Sequence, residues 1–90
     1  MARRIRARGG QVIFVRMPTS EPLWTRQARA YPRADYWDRF AAASGSPTIH
    51  FADYPSLSCF ECPDYSHLDA SDAPAFSHAL GRVVMEKLGR

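Results

Sequence analysis

The sequence predicts an α/β chain: two parallel strands, crossover helices between them, and a C-terminal helix. Three observations carry this. Residues 11–17 contain the near-continuous apolar run Val12-Ile13-Phe14-Val15, the pattern of a strand covered on both faces. Thr48-Ile49-His50-Phe51 reads as a second, shorter strand. The stretch between them is long and helical, as a right-handed parallel crossover requires.

Each element has its own signals. Residues 2–8 read as the last turns of a helix, closed by Gly9-Gly10 in a left-handed C-cap. Pro18 ends the first strand. Thr19-Ser20-Glu21-Pro22 opens a helix, with Ser20 as N-cap and Pro22 in the first turn. Leu23, Gln27 and Tyr31 share a face of that helix, with Trp24 beside them, and Pro32 breaks it. A second helix starts near Arg33, with Tyr36, Trp37, Phe40 and Ala41 as an apolar stripe expected to face the core, and stops at Gly45. His50 is expected to be a partnered structural histidine. Residues 52–71 show little periodicity and predict a long loop, and such loops usually carry function. The last helix begins near Asp72 as N-cap, with Phe76, Leu80, Val83, Val84 and Leu88 on one stripe, and Gly89 ends it. His78 lies off that stripe, toward solvent.

Composition bounds what the chain can do. Its 90 residues are enough for one small domain, and a chain of this size buries only about 60–65% of its unfolded surface. No apolar run approaches the ~20 residues of a membrane span, and no apolar stretch follows the N-terminal arginines as in a signal peptide. As given, the sequence is therefore expected to stay in the cytoplasm. The net charge is +3, and Arg3, Arg4, Arg6 and Arg8 supply much of the excess. They alternate with Ala and Ile as on a half-exposed helix, without the interleaved aromatics of a base-stacking surface. Nucleic acid is not an expected partner, and no cofactor is expected.

The two cysteines form Cys59-x-x-Cys62. Three readings stay open: burial of a thiol as a small apolar group, a disulfide or redox pair, and a zinc site completed by His67 and Asp72. Missing glycines and the stiffness of Pro63 weigh against a tight metal knuckle. Asp64 and His67, three residues apart in that loop, form the candidate catalytic pair. A carboxylate at this spacing can reach one imidazole nitrogen and leave the other facing outward. This is the orienting half of a Ser-His-Asp arrangement. Ser20 sits at a strand-to-helix turn, but Pro18, Glu21 and Pro22 around it do not permit a sharp nucleophile elbow.

At these residues the sequence resembles a known family. The block Asp64-Tyr65-Ser66-His67-Leu68-Asp69, followed by Ala73-Pro74-Ala75-Phe76-Ser77 and a final helix, looks like the C-terminal end of SGNH (GDSL-like) hydrolases. The likeness is to the branch that includes acyltransferases of cell-envelope and exopolysaccharide. Gly9-Gly10-Gln11-Val12-Ile13-Phe14-Val15-Arg16-Met17-Pro18 is similar to that branch's penultimate core strand. The resemblance implies part of a flavodoxin-like, three-layer fold, with the family's Ser, Gly and Asn blocks upstream of the matched region. It also implies a serine esterase or O-acyltransferase, acting on acyl esters of glycans, in which Asp64 and His67 are catalytic. This chain alone would then be inactive, with an exposed sheet edge open to self-association. The alternative is a small non-enzymatic binding module, with zinc held by Cys59, Cys62 and His67.

Overall fold

The computed structural model describes residues 2–89. It is a mixed α/β structure with two parallel strands and, among the described residues, five helices. Helix α1 spans Ala2–Ala7. Gly9, at φ +82°, then takes the left-handed conformation that the sequence requires of it. Gly10 lies close against the helix it follows, so that a Cβ there would sit 2.6 Å from Ile5 Cγ2. The arginines of α1 are exposed. Arg6 reaches across to hydrogen-bond Ser46 Oγ and the Gly45 carbonyl.

Strand β1 spans Phe14–Arg16 and β2 spans Thr48–His50, paired in parallel with Phe14 opposite Thr48, Val15 opposite Ile49 and Arg16 opposite His50. The first strand is shorter than the run 11–17 suggests, because only three residues find partners across the ladder. Nor is it fully buried. All three of its residues are half-buried, since β2 covers one edge only and the sheet has two strands among the described residues.

Side chains alternate across this ladder. Val15 and Ile49 face the core, where Ile49, Phe51, Leu57, Phe76 and Val83 pack together. Helix α5, Ala73–Lys87, supplies Phe76 and Val83, with Leu80 and Val84 against them. Phe14, Arg16 and His50 face the other way, toward α2 (Leu23–Ala30) and α3 (Trp37–Ser44). There Phe14 meets Phe40 edge-on at 4.9 Å, and His50 meets Trp37 at 5.6 Å.

Several expectations are corrected. Ser20 does not cap α2: the helix starts behind Pro22 without a side-chain cap, and the Ser20 hydroxyl accepts from the Cys62 backbone N–H at 2.8 Å instead. The second crossover helix starts at Trp37, after a turn in which Tyr36 N–H bonds the Pro32 and Arg33 carbonyls. Its aromatic stripe is not sealed in a core, for Tyr36 and Phe40 remain 52% and 42% exposed. The predicted loop 52–71 holds a 3₁₀ turn at Phe51–Asp53 and a short helix, α4, at Pro55–Ser58. Leu57 of α4 is completely buried, so this segment is part of the core. Asp72 precedes α5 without a side-chain cap, and Asp69 caps the 3₁₀ turn before it by accepting from Ser71 N–H.

Each strand of a two-stranded sheet keeps one unpaired edge, which is a template for another chain. Met17 beside that edge is 45% exposed. Size-exclusion chromatography with light scattering should therefore show species above the monomer mass that grow with concentration. A monomer at every concentration would rule out association through the edge.

Candidate active site

The loop after α4 is positioned by the segment that follows β1. Ser20 N–H donates to the Tyr65 carbonyl at 2.8 Å, and Cys62 N–H donates to Ser20 Oγ at the same distance. The Cys62 thiol is buried and donates to the Pro18 carbonyl at 3.5 Å. These contacts tie residues 62–65 to the chain just past the carboxyl end of β1. In open parallel sheets ligands bind at that end.

Within the loop, Tyr65 N–H closes a turn onto the Cys62 carbonyl at 2.8 Å, with Tyr65 itself at φ +73°. That turn presents Asp64 to the two amides that follow. Its Oδ1 accepts from Ser66 N–H at 3.2 Å and His67 N–H at 2.7 Å, and its Oδ2 lies 2.9 Å from His67 Nδ1. The backbone bond from His67, then its ring, then the Ser66 amide hold the Asp64 carboxyl below its ordinary range. It is therefore ionised at neutral pH and can only accept. The proton of the neutral His67 ring must then sit on Nδ1, which leaves Nε2 as a free acceptor. Asp64 and His67 thus meet as their spacing suggests. Both are solvent-exposed, with His67 79% exposed at its side chain.

No serine completes the arrangement among the described residues. Ser66 Oγ is 3.1 Å from His67 Nδ1, the nitrogen already held by Asp64, so it is not placed to lose its proton to Nε2. Ser20 is engaged with Cys62. The cysteines are both free. Cys59 is exposed, with its thiol toward the Ser56 carbonyl, whereas Cys62 is turned inward to Pro18. Cys59, Cys62 and His67 do not come together, and no group of three or more metal-ligating side chains forms among the described residues.

A second site was not legible in the sequence. Between α2, α3 and the carboxyl ends of both strands lies a half-open cleft of about 570 Å³. Trp24, Tyr31, Tyr36, Trp37 and Phe40 form most of its walls, with Arg16 and His50 at its base. Arg33 on its rim is neutralised: it grips Asp53 with two bonds of 2.7 Å and Asp38 with one of 3.1 Å. That ion pair depresses the Asp53 pKa and raises that of Arg33. His50 is 4% exposed, and its Nδ1 accepts from Ala52 N–H at 3.1 Å. Burial pushes the His50 pKa below its ordinary 6.5. Arg33 and Arg16 act in the same direction, while Asp53 and Asp38 oppose them. The available signal was Arg16 closing an apolar strand, ahead of aromatic residues at helical spacing.

Compared with protein-family models, curated proteins and solved structures, the chain matches none.

Two outcomes are expected from this geometry. Ring ¹⁵N shifts should show His67 as the Nδ1–H tautomer, and Asp64→Asn should move it toward Nε2–H. An unchanged tautomer in that variant would mean that Asp64 does not orient the ring. The buried His50 makes stability pH-dependent in a defined direction. Below its unfolded value of 6.5 the unfolded chain binds a proton that the folded chain resists, so stability is full above that value and falls with pH. Thermal unfolding from about pH 7.5 down to about pH 5 should therefore cost the native chain more than His50→Gln, and equal losses would remove the assignment.

Proposed function

We propose that this chain supplies the Asp–His part of a serine ester hydrolase or O-acyltransferase of the SGNH type, with the nucleophile coming from sequence outside it. The observation that carries this reading is the Asp64–His67 contact. One carboxylate oxygen is held by two backbone amides, the other lies 2.9 Å from Nδ1, and Nε2 is left free. The anchoring of the loop beside the end of β1 supports it too. In the same reading, the two strands and their flanking helices belong to a flavodoxin-like sheet.

The chemistry follows from the tautomer. Nε2 takes the proton of a serine hydroxyl as its oxygen bonds to the acyl carbon of the ester. Asp64 steadies the imidazolium that forms. His67 then hands the proton to the departing alcohol oxygen as the ester C–O bond breaks, leaving an acyl-enzyme. A water or an acceptor hydroxyl then bonds to the acyl carbon as its proton passes to His67. His67 returns that proton to the serine oxygen as the acyl–serine C–O bond breaks, so the acyl group leaves on the water or the acceptor. Esters of glycans are the substrate class that the family likeness suggests. An oxyanion site must come from the same outside sequence as the nucleophile, because Gly9-Gly10 lies at the amino end of β1.

Alone, the chain should hydrolyse p-nitrophenyl acetate no faster than an equal concentration of imidazole, and a fluorophosphonate should label no serine. Adding a chain that carries Ser, Gly and Asn blocks should produce turnover, and His67→Ala should lower it by about 10³-fold or more. Ser20→Ala should leave that turnover intact. It should cost about 1–3 kcal/mol of stability by stranding the Cys62 N–H. Turnover by the chain alone that needs both His67 and Ser20 would sink this reading and make Ser20 the nucleophile.

A further inference from the structure

None of residues 59–67 lines the cleft between α2 and α3, so it is distinct from the His67 loop. Three features of it point to a ligand. Its volume, about 570 Å³, lies in the range of small-molecule sites, and its walls are mostly aromatic. Arg16 at its base is half-buried, and among the described residues no carboxylate lies within salt-bridge distance of it. Its recorded side-chain hydrogen bond is to neutral Gln27 Oε1 at 2.6 Å, and its guanidinium is steadied 5.9 Å above the Trp24 ring.

The third feature is His50. Because its Nδ1 accepts from Ala52 N–H, the neutral ring carries its proton on Nε2. That N–H has no protein partner among the described residues. Yet no fully sealed side-chain nitrogen among the described residues is left unsatisfied, so Nε2 keeps some exposure, and His50 is a lining residue of the cleft. Arg16 and His50 are register partners across the two strands and face the same side of the sheet. A half-buried cation without a carboxylate partner among the described residues, and a neutral N–H donor at the register position opposite it, thus line the sheet side of the aromatic cleft.

We propose that this cleft binds a small carboxylate carried on an apolar ring system, with the carboxylate on Arg16 and His50 Nε2 and the rings among the aromatic walls. The fork of a guanidinium matches a carboxylate, and low surrounding polarity strengthens the bond. The edge-on arrangement that the wall rings already adopt, Tyr31 on Tyr36 at 5.1 Å and Trp37 on His50 at 5.6 Å, is the one a further aromatic ring would extend. A sugar fits poorly, because burying its hydroxyls against carbon walls leaves them unpaired. A phosphate dianion fits poorly as well: of the two arginines among the described lining residues, Arg33 is spent on Asp53 and Asp38, which leaves Arg16 to balance it.

The probe is 2-naphthoate, with neutral 2-naphthamide as its isostere, titrated by calorimetry into the full chain. The two indole N–H signals of Trp24 and Trp37, both wall residues, are followed by NMR in parallel. Naphthoate should bind at least roughly tenfold more tightly than the amide and shift both indole signals. Arg16→Gln should remove that preference while leaving the weaker amide binding in place, which also shows that the cleft survives the substitution. Arg82→Gln on α5, far along the chain from the cleft residues, should leave both affinities unchanged. Equal binding of acid and amide by the native chain, or tighter naphthoate binding that moves neither indole signal, would overturn the proposal.

Discussion

The three-residue parallel ladder between β1 and β2 is the constraint on which the rest of this structure depends. Parallel pairing puts both carboxyl ends at one edge, so whatever follows each strand emerges there. After β1 come Pro18, Thr19 and Ser20, and after β2 comes the path through α4 to the His67 loop. Their meeting is sealed by Thr19, which is 7% exposed, by the buried Cys62, and by the paired bonds of Ser20 to Cys62 and Tyr65. The same register puts Arg16 beside His50 at the base of the aromatic cleft. Both sites are products of one short ladder.

So short a ladder cannot hold the fold by its hydrogen bonds, each worth a net of about 1 kcal/mol. Apolar contacts across its two faces carry the load. On one face Ile49 and Leu57 are fully enclosed, and truncating a residue in such a position typically costs about 2–5 kcal/mol. That is a large share of a small domain's total of about 5–15 kcal/mol. The other face is less complete. Helices α2 and α3 have eight residues each, too few to persist alone in water. They are held by Trp24 and Trp37 against His50 and Phe51, and by Arg33 bridging to Asp53. Aromatic side chains that span the gap without filling it leave the cleft.

The Asp64–His67 pair and the cleft show two ways of building a site. Asp64 takes its geometry from its own neighbours: two amides and one ring, all within three residues. Such a turn needs tertiary structure only to fix where it stands. The cleft depends on residues from both strands and both crossover helices, and none of its parts has meaning without the others.

This division separates what the sequence by itself determined from what the tertiary structure decided. The apolar runs at Val12–Val15 and Thr48–Phe51 placed the strands. Gly9, Gly45 and Gly89 marked helix ends, and all three take positive φ. The i to i+3 spacing made the Asp64–His67 contact legible, because side-chain-to-backbone turns are local. Ser20 looked like a helix cap because caps too are local. A long-range donor, the Cys62 amide, took its hydroxyl instead. The stripe of Tyr36, Trp37 and Phe40 looked like core because periodicity reports which residues share a face and is silent on what covers it. Residues 52–71 looked like loop because a four-residue helix is too short to show a period, yet Leu57 is as buried as any residue in the chain. Burial is a property of neighbours that the chain brings together only on folding. For that reason the cation at Arg16 and the N–H at His50 could be placed side by side only by the register of the two strands.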